Sequence, residues 1–81
     1  MMPTTRYFRE QVQRKRPYLR IEWCQRVLSS PMKTEVEANG RIRHWGWIQE
    51  LDKWLRVVML EDGRTVHNAF PDRDFLPEHK P

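Results

Sequence analysis

The sequence predicts an α+β domain in which one or two N-terminal helices pack on a four-stranded antiparallel meander. Three observations predict it. The stretch from Thr34 to Phe70 breaks into four short runs of strand character. Turn signals separate the runs at Ala38-Asn39-Gly40, Glu50-Leu51-Asp52-Lys53 and Asp62-Gly63. Upstream, residues 4–15 and 18–28 place apolar side chains at helical spacing, and each segment is closed by a proline, Pro17 or Pro31.

In the first segment Thr4 or Thr5 can cap a helix whose apolar stripe is narrow, Tyr7, Phe8 and Val12. The second carries Ile21, Cys24, Val27 and Leu28 on one stripe with Trp23 beside it, and reads as the helix that covers the sheet. Cys24 then belongs to the core as an inert thiol, since nothing adjacent marks an activated thiolate.

Strand one, Lys33 to Glu37, turns through Ala38-Asn39-Gly40 into strand two, Arg41 to Gln49. Pairing Glu37 with Arg41 sets Val36 opposite Ile42 and Glu35 opposite Arg43, apolar on apolar and acid on base. Strand three runs from Trp54 to Leu60, with Gln49 expected to face Trp54 and Trp47 to face Arg56. A fourth strand closes at Phe70, with Val66 expected opposite Met59, His67 opposite Val58 and Asn68 opposite Val57.

Strict alternation divides these side chains between two faces. The expected core face holds Val36, Ile42, His44, Gly46, Ile48, Leu55, Val57, Met59, Val66, Asn68 and Phe70. The other holds Glu35, Arg43, Trp45, Trp47, Arg56, Val58, Leu60, Thr65, His67 and Ala69. Residues 76–81 read as a frayed tail.

A chain of 81 residues forms one domain, residues 1–81, and buries only about 60–65% of the surface it exposes when unfolded. Its 15 Lys and Arg outnumber 11 Asp and Glu, and 11 of the 15 are arginines, whose planar fork suits phosphates and base edges. A net charge of +4 favours polyanions as partners. The lone cysteine leaves no internal disulfide, and the absence of an apolar run of membrane length or of a signal-peptide core points to a cytoplasmic protein. No cofactor fingerprint, phosphate loop or nucleophile elbow is present, and His44, His67 and His79 lack metal-ligand spacing.

The second face suggests a chemistry. Arginine neutralises phosphate, tryptophan stacks on unpaired bases, and a histidine titrating near neutrality moves a proton. Cleavage of RNA by its own 2′-hydroxyl needs those functions and no metal. On this reading His67, Arg56 and Arg73 are the candidate catalytic residues, and Arg41, Arg43, Trp45 and Trp47 the RNA-binding ones. The plainer alternatives are a cation-π pair ornamenting the sheet, a satisfied histidine, and tryptophans packed under a helix or in a dimer interface. Asp72-Arg73 reads equally as part of the site or as an ion pair pinning the C-terminus.

The segments KRPYLRIEWCQRVLSSP, NGRIRHWGWIQEL and WLRVVMLEDGRTVHNAFPDRDF resemble a family of small bacterial proteins of unassigned activity. Its members carry an RPYL segment, a GRIR-W-G strand, LRVV, and a close of the form HNAFPDR-F; the match runs from about Arg16 to Phe75. More distantly, the helix-then-sheet layout is similar to the BrnT, RelE and ParE toxins. That resemblance implies a metal-independent endoribonuclease, with RNA as target and a cognate antitoxin as partner. The rival expectation, from a different class, is a non-catalytic protein-interaction module, such as a homodimer joined through the tryptophan face.

Overall fold

The computed structural model describes residues 2–77. Helix and sheet form as the sequence predicts: an N-terminal helical segment, a second helix α1 (Ile21–Ser29), and strands β1 (Lys33–Val36), β2 (Ile42–Ile48), β3 (Lys53–Met59) and β4 (Val66–Pro71). The sheet is four-stranded and antiparallel, in the order β1-β2-β3-β4, with helix packed on one side.

Thr5 is the threonine that starts the first helix, its hydroxyl accepting the Phe8 N–H at 3.0 Å. The helix then winds as a π-helix over Phe8–Gln13 and seals Phe8 and Val12, 0% and 1% exposed, against the sheet. Just ahead of it, residues 3–5 run parallel to the start of β4: Thr5 N donates to Val66 O at 2.9 Å and Val66 N to Pro3 O at 3.0 Å. This addition covers part of the β4 edge that would otherwise stand open.

After Pro17 a tight turn, closed by Leu19 N on Arg16 O at 2.9 Å, plants Leu19 in the core before α1 begins. The second helix therefore starts three residues later than the predicted 18. Trp23, Cys24 and Val27 are its buried side chains. It crosses β2 at Gly46, where a Cβ would stand 3.0 to 3.3 Å from Val27 atoms, its Cα included, so the missing side chain is what lets the helix approach.

Two registers differ from expectation. In the β2–β3 hairpin the turn falls on residues 49–52, one earlier than predicted, because Asp52 takes the left-handed conformation, φ 53°, that closes it. Lys53 is thus the first strand residue, Arg56 pairs with Trp45, and Trp54 pairs with Trp47. Trp47 thus exchanges Arg56 for Trp54, a shift of two residues, so both strands keep their faces.

The β3–β4 ladder carries a bulge at Val58/Met59. Met59 faces Val66 as expected, but His67 is the extra residue, and beyond it Asn68 pairs with Val58, Ala69 with Val57 and Phe70 with Arg56. This reverses the expected faces: Ala69 enters the core at 0% exposure, while Phe70 and Asn68 join Arg56 on the opposite side. Val36 is a further correction, 70% exposed at the end of β1, outside the area that the helices cover. The β1–β2 register, Glu35 to Arg43 and Val36 to Ile42, is as predicted. Of the expected tail, Leu76 and Pro77 are described, Leu76 being 87% exposed, and the remainder lies outside the described residues.

Candidate nucleic-acid interface

On the sheet face turned away from the helices, alternation gathers Arg43, Trp45 and Trp47 from β2 with Trp54, Arg56 and Val58 from β3. The residues after β4 fold back over the middle of this face. Asp72 N donates to Trp54 O at 2.9 Å, and the Asp72 carboxylate accepts the Trp45 indole N–H at 2.9 Å. Phe75 lies flat on Trp45, centroids 5.0 Å apart and planes 8° apart, and edge-on to Trp54 at 5.2 Å. Trp45 and Trp54 are consequently 5% and 7% exposed, and a base cannot stack on Trp45 while Phe75 occupies it. Trp47, half-buried, meets Trp54 edge-to-face at 5.3 Å.

The two central arginines are held by carboxylates. Arg43 pairs with Glu37 at 3.4 Å, and Arg56 with Asp72 at 3.7 Å. The Arg56 guanidinium also lies 5.6 Å from the Trp45 ring centre and 5.0 Å from that of Phe70, while its Nε is shielded and without a hydrogen-bond partner among the described residues. Such an arrangement anchors the returning chain.

His67 stands elsewhere. Its Nδ1 lies 3.1 Å from the Thr5 hydroxyl and its ring stacks on Tyr7 at 4.9 Å. Burial, and secondarily the charge of Arg41, push its pKa below the ordinary value, favouring neutral imidazole. The bulge that displaces His67 undoes the expected position across Val58 from Trp45. His44, lowered by burial, has its Nδ1 3.1 Å from the Thr34 hydroxyl. Cys24 is sealed under the sheet with its thiol pushed up to about 12 by burial.

Unpaired positive charge gathers at another place, beside the β3 start and the β4 end. Arg16, Lys53 and Arg73 line a cleft of about 270 Å³ together with Tyr18, Phe70 and Pro71. None of the three cations has a carboxylate within ion-pair distance among the described residues. Arg16 sits 6.0 Å from the centre of the Phe70 ring, and Tyr18 is 48% exposed. A second cleft, about 560 Å³, shares Lys53 and Arg73 and adds Trp47, Trp54 and Asp52. A third depression, about 450 Å³ beside α1, takes its cationic lining from Arg26, which is already bound at 2.8 Å by Glu50.

Of the residues singled out from sequence, Arg73 and Trp47 reach these clefts. Arg43, Trp45 and Arg56 are engaged in the folded chain, and His67 belongs to the Thr5–Tyr7 contact. Arg16, Tyr18, Lys53 and Phe70 were missed. Val66 and Ala69 are three apart yet both buried, which a regular strand does not allow on one face and the inserted residue does; an alanine suits either face, so the sequence alone did not require it. The chain matches no family model, no curated protein and no solved structure.

Proposed function

We propose that the protein is a toxin-like RNA-binding protein. The observation that carries this reading is the convergence of Arg16, Lys53 and Arg73, from three separate parts of the chain, on one cleft that also offers the Tyr18 and Phe70 rings. Cations left without carboxylates are what a phosphodiester chain neutralises, and aromatic faces beside them suit unpaired bases. The helix-then-sheet layout of small toxins and the net charge of +4 point the same way.

Cleavage is the finer form of the reading. It would use His67 in proton transfer, with Arg41 as the nearby cation, on an RNA that reaches from the Arg16–Lys53–Arg73 cleft to the imidazole beside Thr5 and Tyr7. Arg56 is not a phosphate ligand in this scheme, because Asp72 holds it. The test is fluorescence anisotropy with a short unstructured RNA at low salt, beside growth after induced expression. Binding that weakens steeply with salt, together with arrested growth relieved by His67→Ala, is the expected result. No binding at low salt, where electrostatic affinity is greatest, ends the RNA reading.

A second reading, protein association, is favoured by β1. All four of its residues are exposed at an open sheet edge, and such edges accept an added strand from a second copy or a partner such as an antitoxin. Light scattering over a range of concentrations tests self-association, and a mass that stays monomeric removes the homodimer.

A further inference from the structure

We propose that Lys53 and Arg73 clamp a single phosphate between two base-binding clefts, so that the ligand is an unpaired nucleotide strand with successive bases splayed to either side. The proposal rests on the RNA-binding reading and specifies the form of nucleic acid it concerns. Its starting point is that both clefts are lined by the same two cations.

The larger cleft is about 560 Å³, within the roughly 300–1,000 Å³ of small-ligand sites. Half-buried Trp47 is its accessible indole, set edge-to-face at 72° to Trp54, which is itself 7% exposed. Two carboxylates also line it, and they order the ligand. Asp72 is taken by Trp45 and Arg56. Asp52 is exposed and unpaired with any cation among the described residues; it repels a phosphate and accepts hydrogen bonds from the amino group of a base. The larger cleft therefore takes a base. The phosphate goes to Lys53 and Arg73, and the neighbouring base goes to the smaller cleft, against Tyr18 and Phe70 with Arg16 beside it.

Asp72 also fixes the clamp. Its Oδ1 accepts the Asp74 N–H at 3.0 Å, and its carbonyl accepts the Phe75 N–H at 3.4 Å, a turn that carries Arg73 between them. Two bases that enter separate clefts cannot remain paired to a second strand, so a duplex is excluded from this geometry. The depression beside α1 is a poorer candidate because Glu50 already neutralises Arg26 there.

The test uses the whole chain and fluorescence anisotropy at low salt with four probes: a short unstructured RNA, the same sequence as single-stranded DNA, the RNA annealed to its complement, and the same backbone with every base removed. The RNA and DNA strands are expected to bind within a few-fold of each other, because the contacts invoked are to bases and phosphate. The duplex and the baseless strand are expected to bind about tenfold more weakly or worse. Lys53→Gln combined with Arg73→Gln is expected to cost at least about tenfold, while Arg64→Gln, in the β3–β4 turn, stays within about twofold. Circular dichroism confirms that the exposed substitutions leave the fold intact. The inference is overturned if the duplex or the baseless strand binds as tightly as the RNA, or if the double substitution has no more effect than Arg64→Gln. Failure of the unaltered protein to bind any probe would instead remove the RNA reading on which it rests.

Discussion

The Trp45 indole N–H donates to Asp72 Oδ2 at 2.9 Å, and the same oxygen stands 3.7 Å from Arg56 Nη1. One carboxylate thereby fastens the chain after β4 to two neighbouring strands. The Asp72 and Arg56 side chains retain only 11% and 24% of their exposure, so removing the carboxylate strands an indole donor and a cation away from water. Asp72→Ala is expected to cost about 1–3 kcal/mol in urea denaturation, with Asp72→Asn costing less because its amide oxygen still accepts from Trp45. A loss below about 0.5 kcal/mol for the alanine variant would show that the anchor is dispensable.

Gly46 sets how near α1 can lie to the sheet. A methyl group there meets Val27 Cγ2 at 3.0 Å and its Cα at 3.2 Å, and the backbone atom cannot rotate aside. Gly46→Ala is expected to destabilise the fold by about 1–3 kcal/mol, as overpacking does. In a double variant with Val27→Ala the two effects should fall short of their sum, because the smaller side chain relieves part of the clash. Strict additivity would mean that the helix does not bear on this glycine.

How far the sequence could be read shows in β4. The β1–β2 register and the alternation of β2 and β3 were legible because one face of β2 and of β3 is set by its own composition, whereas β1 has no buried face and the β2–β3 turn closes one residue early. Beyond Met59 the same rule failed, since one bulged residue, His67, inverts everything after it. That single insertion moved Phe70 from the expected core to the side of Arg56, and removed His67 from the expected cluster with Trp45. The return of Asp72 and Phe75 over the sheet was illegible for another reason. It is an irregular segment whose path is set by contacts with Trp45 and Trp54, distant in sequence, and no local periodicity encodes those. The cleft around Arg16, Lys53 and Arg73 was illegible likewise, because its cations come from a helix end, a strand start and a turn.

Acid should weaken the fold through two carboxylates. The Glu50 carboxyl is held down at about 2, against an ordinary 4.5, chiefly by its bonds to Arg26, and Asp62 at about 2, against 3.8, chiefly by the Thr65 hydroxyl and the Arg64 and Thr65 amides. A depressed folded-state pKa means that the unfolded chain takes up protons first, so the contribution is complete above the ordinary values and is lost as pH falls through them toward about 2. Denaturation midpoints measured across that range should decline, and the Glu50→Gln, Asp62→Asn variant should decline less steeply. An identical slope would exclude both groups as its source.

Cys24 is fully buried, and its thiol is pushed up to about 12 by burial. Since the thiolate is the reactive form, the folded protein should resist disulfide reagents at mildly alkaline pH, whereas the denatured chain reacts at once. The reaction rate in native buffer should follow the rate or equilibrium of opening and respond to destabilising substitutions such as Gly46→Ala. Rapid labelling of the intact fold would show that the thiol is reached without opening.

Salt dependence counts the cations that a nucleic acid engages. For single strands the logarithm of the affinity falls with the logarithm of salt concentration at a slope of about 0.7 per phosphate neutralised. A cation already paired inside the protein neutralises no phosphate and so frees no counterion from the strand, and Arg43 and Arg56, held by Glu37 and Asp72, should contribute little. Lys53 and Arg73 face no such partner among the described residues and should contribute in full when both touch phosphate. If they grip one shared phosphate, the double Lys53→Gln, Arg73→Gln variant lowers the slope by about 0.7, and each single variant by less than that because the remaining cation still neutralises the same group. Were they gripping two phosphates, each single variant would lower it by about 0.7 and the pair by about 1.4. Titrations of one unstructured strand across several salt concentrations therefore separate a clamp on one phosphate from two independent contacts, and an unchanged slope in the double variant places the strand elsewhere on the protein.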